Sequence, residues 1–275
     1  MAVDFLRCQN NHLFFCFHFP LNYSAAHTFA SLIIFNHSLK KALKILTFIV
    51  ITLLIGLFGL RLAFHEKEPT GVESPEAEQM AQAIYTQLNK TAWDSTQWVK
   101  WDFPGGHQYL WDKRHGQVRV RWDDQEVLLD LATQQGPAKK SGVLLSGSEA
   151  AKAVKAAYAM FCNDGFWLTA PFKLTDPGTQ RSVVTLPDGR KGLKVSYDSG
   201  GVTPGDSYVW ILDDKGIPSS FKMWVSILPV GGIEATWEQW ATLPTGAKVA
   251  TYHLIGGKVK SVVTGLDGGM GTPTF

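Results

Sequence analysis

Residues Ser207–Trp224 read SYVWILDDKGIPSSFKMW, two aromatic and β-branched runs joined by the turn Asp213–Gly216. Successive side chains of a strand point to opposite faces. In the first run Trp210 therefore points away from Val209 and Ile211, so this strand is apolar on both faces. Such a strand needs cover on both sides, or one face must line an apolar cavity. The interpretation remains open between a filled core and a cavity.

The same period-two pattern recurs along most of the chain after residue 97, interrupted by turns rich in Gly, Pro and Asp. Runs of this kind with no helix between them predict sequential antiparallel pairing. The predicted strands are Trp98–Phe103, His107–Lys113, Gln117–Asp123, Glu126–Leu131, Arg181–Leu186, Gly192–Tyr197, Ser207–Leu212, Pro218–Ile227, Gly232–Thr242, Lys248–Ile255 and Lys258–Thr264. A sheet of about eleven strands curls instead of staying flat. We therefore expect an α+β fold, mainly antiparallel β: a curved unclosed β-barrel covered by helices.

Two helices are available as that cover. The first is predicted to begin at Pro75 after the N-cap residue Ser74 and to end near Lys90. The second opens with a capping box at Ser146 and is predicted to stop at Asn163–Gly165, a sequence that favours a turn.

A long apolar run precedes the β-rich part. Ile45–Leu60 carries no charge, and Lys40, Lys41 and Lys44 stand directly before it. With the residues up to Phe64 the run reaches about 30 Å as a helix, the thickness of a bilayer core. Lysines on its N-terminal side predict a single span with the N-terminus in the cytoplasm.

The chain is therefore divided into four parts. Residues 1–37 form an N-terminal extension, either disordered or the result of a misassigned start codon. Residues 38–64 form an uncleaved signal anchor in the cytoplasmic membrane, and residues 65–73 a linker. Residues 74–275 form an extracytoplasmic β-rich domain, on the periplasmic side. We expect residues 1–36 to be dispensable, because the lysine cluster is the natural beginning of an anchor.

Charge and composition exclude some classes of partner. Residues 1–64 hold five basic and one acidic residue, which leaves 21 basic against 23 acidic residues beyond. A domain of nearly zero net charge gives no reason to expect a nucleic-acid partner. All ten tryptophans lie in that part. Aromatic side chains bury large areas in cores and also line apolar ligand sites.

No catalytic or metal-binding signature accompanies these residues. His107 and His253 fall on predicted strands, but no motif of metal ligands surrounds them. Cys162 follows an apolar helix face and is interpreted as a small buried hydrophobe. We predict no catalytic residue, no metal ligand and no cofactor.

The order of elements resembles a known family. A helix, a meander, a second helix and a long antiparallel tail after an export signal are similar to the lipoprotein-carrier superfamily of the LolA and LolB type. The hairpin Gly205–Trp224, with its aromatic strands around Gly216-Ile217-Pro218, carries the resemblance. It implies a curved, unclosed barrel, lidded by helices, that holds acyl chains. The retained anchor departs from the family, so the resemblance does not extend to a shuttle role.

The hypotheses of function follow from these patterns. The first is a membrane-anchored module that binds a lipid, an acyl chain or another apolar ligand. Its predicted ligand-binding residues are Trp210, Phe221, Met223, Trp224 and Trp237. The alternative is a non-enzymatic structural or assembly protein of the cell envelope that acts through protein–protein contacts. An enzyme with an unrecognised site around His107, His253, Glu234 or Asp206 is a third.

Overall fold

The structure, a computed structural model, describes residues 23–199 and 205–273, and for residues 23–38 and 60 it describes the backbone alone. Much of the predicted N-terminal extension lies outside the described residues. The described residues form two compact units, of which the first ends at Phe58 and the second begins at Gly59. Helix α1 spans Tyr23–Phe64. Its part Leu39–Phe64, with a mean hydropathy of 2.5, is long and apolar enough to cross a membrane.

The second unit contains the remaining helices and all the strands of the described residues. The helices are α2 (Pro75–Leu88), α3 (Lys90–Ser95) and α4 (Gly147–Thr169), followed by a 3-10 turn at Ala170–Phe172. The first strands are β1 (Trp98–Phe103), β2 (His107–Asp112), β3 (Gln117–Trp122), β4 (Gln125–Asp130), β5 (Ala138–Lys140) and β6 (Val143–Leu144). Those after α4 are β7 (Thr179–Thr185), β8 (Lys191–Tyr197), β9 (Ser207–Leu212), β10 (Pro218–Trp224), β11 (Ile233–Thr236), β12 (Glu238–Thr242), β13 (Lys248–Ile255), β14 (Val259–Val262) and β15 (Thr264–Gly269).

These strands form two sheets. The N-terminal sheet has the order β15-β1-β2-β3-β4-β5-β6, and the C-terminal sheet the order β12-β13-β11-β10-β9-β8-β7, with β14 paired to β13. Consecutive strands pair antiparallel through most of both sheets. The α+β class, the mainly antiparallel pairing and the unclosed sheets are thus confirmed. The predicted count of about eleven strands is wrong, because the described residues form fifteen.

The differences from the predicted elements have local causes. The strand predicted over residues 232–242 is split between β11 and β12 at Trp237, and Gln239 has a positive φ of 53°. The chain also makes a short hairpin of β5 and β6 in a stretch whose Gly, Pro and Ser content predicts a loop. The last strand, β15, leaves the C-terminal sheet and pairs with β1. That pairing is long-range, and period-two patterning carries no information on it.

Helix α4 continues through the predicted stop at Asn163–Gly165. Asp164 lies inside the helix, buried, and its carboxylate accepts hydrogen bonds from two residues of β2. These tertiary contacts outweigh the local preference of the sequence for a turn.

The core is continuous across the second unit. Helix α2 packs on β7 and β8 of the C-terminal sheet. Helix α4 packs on β3 to β5 and on β13, so α4 contacts both sheets. Helical spacing predicts a buried stripe on α2 that consists of Ala77, Met80, Ala81, Ile84, Tyr85 and Leu88. All of these are buried except Met80, which is half-buried. A smaller apolar cluster of Val184, Leu186, Val209, Ile211 and Trp224 lies apart from this main core.

Candidate functional site

The C-terminal sheet has two faces of different character. We call the face that carries the main core the inner face and the opposite one the outer face. Strands β8 to β11 place four paired residues in a row on the inner face, and all four are fully buried. They are Leu193, Trp210, Phe221 and Ala235. The neighbouring row, one residue along each strand, lies on the outer face and consists of Lys194, Val209, Lys222 and Glu234.

Four of the five predicted ligand residues lie together on the inner side, in the main core. They are Trp210, Phe221, Met223 and Trp237. The ring centroid of Trp210 lies 5.1 Å from that of Phe221 and 5.2 Å from that of Trp237. Phe221 and Trp237 are 5.6 Å apart. These are the separations of packed aromatic pairs, so the three rings are in contact with one another. Their role in ligand binding stays a prediction.

The fifth residue, Trp224, lies on the outer face with Val209 and Ile211. Its indole Nε1 donates a hydrogen bond of 2.8 Å to the carbonyl oxygen of Glu66. The structure therefore separates Trp224 from the other four and brings it to the segment that follows the apolar helix.

Several buried polar atoms in the core have no hydrogen-bond partner among the described residues. Near the predicted site these are the indole Nε1 of Trp210 and of Trp237 and the Nε2 of His253. The imidazole of His253 lies 4.6 Å from the ring of Trp237, and its Nδ1 donates to the carbonyl oxygen of Thr236. Burial lowers the pKa of His253 to about 4. The imidazole is therefore neutral at physiological pH.

A second polar cluster joins α4 to the N-terminal sheet. The buried Asp164 carboxylate accepts 2.7 Å and 2.5 Å hydrogen bonds from the Nδ1 of His107 and the hydroxyl of Tyr109. Burial and the neighbouring Asp164 raise the pKa of the Tyr109 hydroxyl. Because His107 lies in β2 and His253 in β13, the two predicted histidines belong to different sheets. The Asp164 contacts fix the helix on the sheet.

Residues 65–73, which we call the strap, run along the outer face of the C-terminal sheet. The Glu66 carboxylate contacts the Nζ of Lys222 at 2.8 Å, and Glu68 contacts the Nζ of Lys194 at 2.7 Å. Glu68 also accepts a 2.7 Å hydrogen bond from the hydroxyl of Ser207. Burial raises the pKa of Glu68, but the bonds from Lys194 and Ser207 outweigh it and leave that pKa below its usual value. Partly exposed pairs of this kind each contribute about 0–1 kcal/mol.

Two glycines let the strap approach the sheet. A Cβ at Gly232, whose φ is +83°, would lie 2.5 Å from the Cβ of Glu66. At the other end of the strap, a Cβ at Gly71 would lie 2.0 Å from the hydroxyl oxygen of Ser182. Any larger side chain at either position would displace the strap, so the close approach requires glycine there.

Backbone contacts hold both ends of the strap. Val72 forms an isolated antiparallel bridge with Val183 in β7, with two N–H···O bonds of 2.9 Å. At the start of the strap the N–H of Glu66 donates to the carbonyl oxygen of Gly231, while the N–H of Gly231 donates to the Nδ1 of His65. The strap is therefore held by directed bonds at both ends and by charge pairs between them.

A polar pocket of about 390 Å³ remains between the strap and the sheet. Its lining includes Thr70 and Glu73 from the strap and Arg181, Lys194 and Ser196 from the sheet. A second pocket of about 330 Å³ lies at the hairpin turns of the N-terminal sheet, and most of its lining residues carry charged or amide side chains. Neither resembles an acyl-chain cavity, which is predominantly apolar.

The strap is the part of the candidate site that the sequence pattern missed. Residues 65–73 contain no periodic apolar stripe, so the sequence pattern predicts only a linker there. A signal was nevertheless present: Glu66 and Glu68 stand two residues apart, so an extended chain directs both to the same side. Within the described residues, no group of three or more His, Cys, Asp or Glu side chains is placed to hold a metal ion.

No protein-family model matches this chain, and no curated protein matches it either.

Proposed function

We propose that this chain is a single-span protein of the cytoplasmic membrane whose β-rich domain is an extracytoplasmic assembly module. It binds other proteins of the cell envelope and catalyses no reaction. The observation that carries the proposal is the aromatic packing at the inner face. Because Trp210, Phe221 and Trp237 contact one another in the core, we expect partners to bind at the surface of the domain.

The membrane part of the proposal rests on α1 and its flanks. Lys40, Lys41 and Lys44 precede the apolar run, and the segment after it has mixed charge. This asymmetry supports a cytoplasmic N-terminus with the domain outside. Protease added to spheroplasts should digest residues 65–275. Full protection of that portion, with digestion only after lysis, would reject the orientation.

A free sheet edge is the best surface for a protein partner. In the described part of the N-terminal sheet, β6 pairs with β5 alone, and its residues Val143 and Leu144 are 70% and 65% exposed. An edge of this kind accepts a further strand from a partner of extended conformation. Domains limit such pairing with very short edge strands, lysine or proline. Strand β6 has only two residues, and it is their exposed apolar side chains that favour a partner there.

The test compares the edge with an exposed apolar residue outside any strand. Full-length chains carrying Val143→Lys and Leu144→Lys, or Ile227→Lys as the control, are cross-linked in native membranes and purified. Ile227 is 67% exposed and lies in a turn. We expect a stoichiometric partner to be retained by the control and reduced at least fivefold by the edge variant. Equal retention by both variants would remove the edge from the proposal, and the absence of any partner would remove the assembly function.

A second candidate is the binding of a lipid or another apolar ligand inside a curved, unclosed barrel formed by the two sheets, as the lipoprotein-carrier resemblance implies. The buried, unpartnered polar atoms of Trp210, Trp237 and His253 favour it. Buried polar groups without a partner are costly, and a ligand with a polar group would satisfy them.

Organic extraction of the full-length chain, purified in detergent, separates the two candidates. Ligand binding predicts a stoichiometric apolar compound in the extract that is lost in Trp237→Phe, which keeps most of the ring but removes the indole N–H. A chain that yields no such compound and excludes apolar dyes would leave only the assembly function.

A further inference from the structure

The outer face of the C-terminal sheet holds an extended segment with two acidic side chains, Glu66 and Glu68. It presents Lys222 and Lys194 to carboxylates two residues apart on the strap, and the edge of β7 supplies backbone groups to Val72. The glycine at position 232 leaves room for the segment to pass. Spacing of the charges, steric room and edge pairing are separate requirements, and the strap meets all three.

The contacts that hold the strap are individually weak. The side chains of Glu66 and Glu68 are 52% and 43% exposed, so water and salt screen their pairs with the lysines. Val72 makes an isolated bridge instead of a ladder and remains exposed. Release of the strap breaks only these contacts and its packing beside Val184 and Trp224, and it leaves the inner core untouched.

We propose that the strap exchanges between two copies of this chain, so that residues 65–73 of one copy bind the outer face of the other. The segment that fits the face is present on every copy, and the exchanged contacts are the same as those within one chain. Exchange of an identical element is a low-cost route to a dimer. The proposal rests on the membrane anchoring of the proposed function, because anchors confine the copies to one plane and raise their effective concentration.

The experiment uses full-length chains in their own membrane, with Cys8, Cys16 and Cys162 replaced by serine. Two differently tagged chains are co-expressed, one with Glu68→Cys and one with Lys194→Cys, and treated with a short thiol cross-linker. Exchange predicts a cross-linked heterodimer that carries both tags. The control replaces the Lys194 partner by Lys100→Cys, an exposed lysine of β1 that pairs with Asp267. We expect at least tenfold less heterodimer with the control.

A single chain that carries both Glu68→Cys and Lys194→Cys provides the reference for the unexchanged state. If it forms an intramolecular link and the co-expressed pair forms no heterodimer, the exchange is rejected. Equal heterodimer with Lys194→Cys and Lys100→Cys means random collision and also rejects it. If neither link forms in native membranes but the intramolecular link appears after purification, another protein occupies the face, and the second copy is excluded as its partner.

These outcomes are distinct from failure of the proposed function. A chain that washes from the membrane refutes the anchoring, and one that is protected in spheroplasts refutes the orientation, whatever the cross-links show. An anchored chain with a stoichiometric edge partner and no exchange keeps the assembly function and refutes the exchange alone.

Discussion

Two adjacent rows of the C-terminal sheet show how one set of strands serves two purposes. The inner row, represented by Trp210 and Phe221, is fully buried and joined by ring contacts. The outer row, one residue further along each strand, places Lys194 and Lys222 against the acidic strap. The inner row therefore gains its stability from apolar burial, and the outer row gains specificity from charge and shape. Substitutions in the two rows should therefore change the free energy of unfolding by different amounts, and these changes should depend differently on salt and pH.

The largest effect is expected from the inner row. Phe221→Ala should lower the free energy of unfolding by about 3–5 kcal/mol, because it removes a buried ring and leaves a void. Urea denaturation of the full-length chain in detergent, followed by tryptophan fluorescence, measures it. Val259→Ala, at an exposed position in β14, is the control. A loss below about 1 kcal/mol at Phe221 would mean that a cavity is already present there.

A pH dependence should also originate at the inner face. The pKa of His253 is lowered to about 4, whereas it is about 6.5 in the unfolded chain. Between these values the unfolded state binds more protons, so the stability contributed by the neutral imidazole is lost as the pH falls from about 6.5 to about 4. The loss approaches about 3 kcal/mol. The slope of unfolding free energy against pH should be shallower in His253→Gln over this window, and equal slopes would contradict the assignment.

At the outer face, Gly232→Ala should be more harmful than Gly189→Ala. Both glycines have a φ of +83°, but a Cβ at Gly189 meets no atom within 4 Å, whereas at Gly232 it meets Glu66. The conformational strain is therefore matched, and the difference reports the strap contact. We expect an extra cost of about 1–2 kcal/mol from overpacking, with faster proteolysis within residues 65–73. Identical behaviour of the two variants would show that the strap does not lie on Gly232.

The smallest effect is expected from a single charge pair. Glu68→Gln should cost about 0.5 kcal/mol at low salt and less at high salt, because its pair with Lys194 is partly exposed. Glu73→Gln, a strap carboxylate outside the described ion pairs, is the control. Denaturation midpoints at low and high ionic strength give the difference. A salt-independent loss would assign the role of Glu68 to its hydrogen bond with Ser207 instead.

Periodicity predicted most of the elements of the domain correctly. Strands β1, β9 and β13 have the predicted bounds, and α2 begins at Pro75 as expected. Each of these elements follows from the spacing of apolar residues within a short stretch of chain, so a local sequence pattern is enough to predict it. The apolar helix Leu39–Phe64 is equally local, since length and hydropathy suffice to identify it.

The errors arose where tertiary contacts outweighed a local preference. Asn163–Gly165 favours a turn, yet α4 continues because Asp164 is held by His107 and Tyr109. The glycine-rich stretch of β15 has a weak strand pattern and becomes a strand through its pairing with β1. Alternation also left open which face of the sheet is inner, a choice made by where the helices pack.

The sequence by itself determined the apolar helix, the class of the fold and the two-faced apolar strands, because each depends on neighbours along the chain. The tertiary structure alone decided the separation of Trp224 from Trp210 and the course of the strap. Glu66 and Lys222 are 156 residues apart. At that separation the sequence alone does not indicate which charge Glu66 will pair with. The pair forms only because the folded sheet presents Lys222 to the strap and because Gly232 leaves room for the strap to pass.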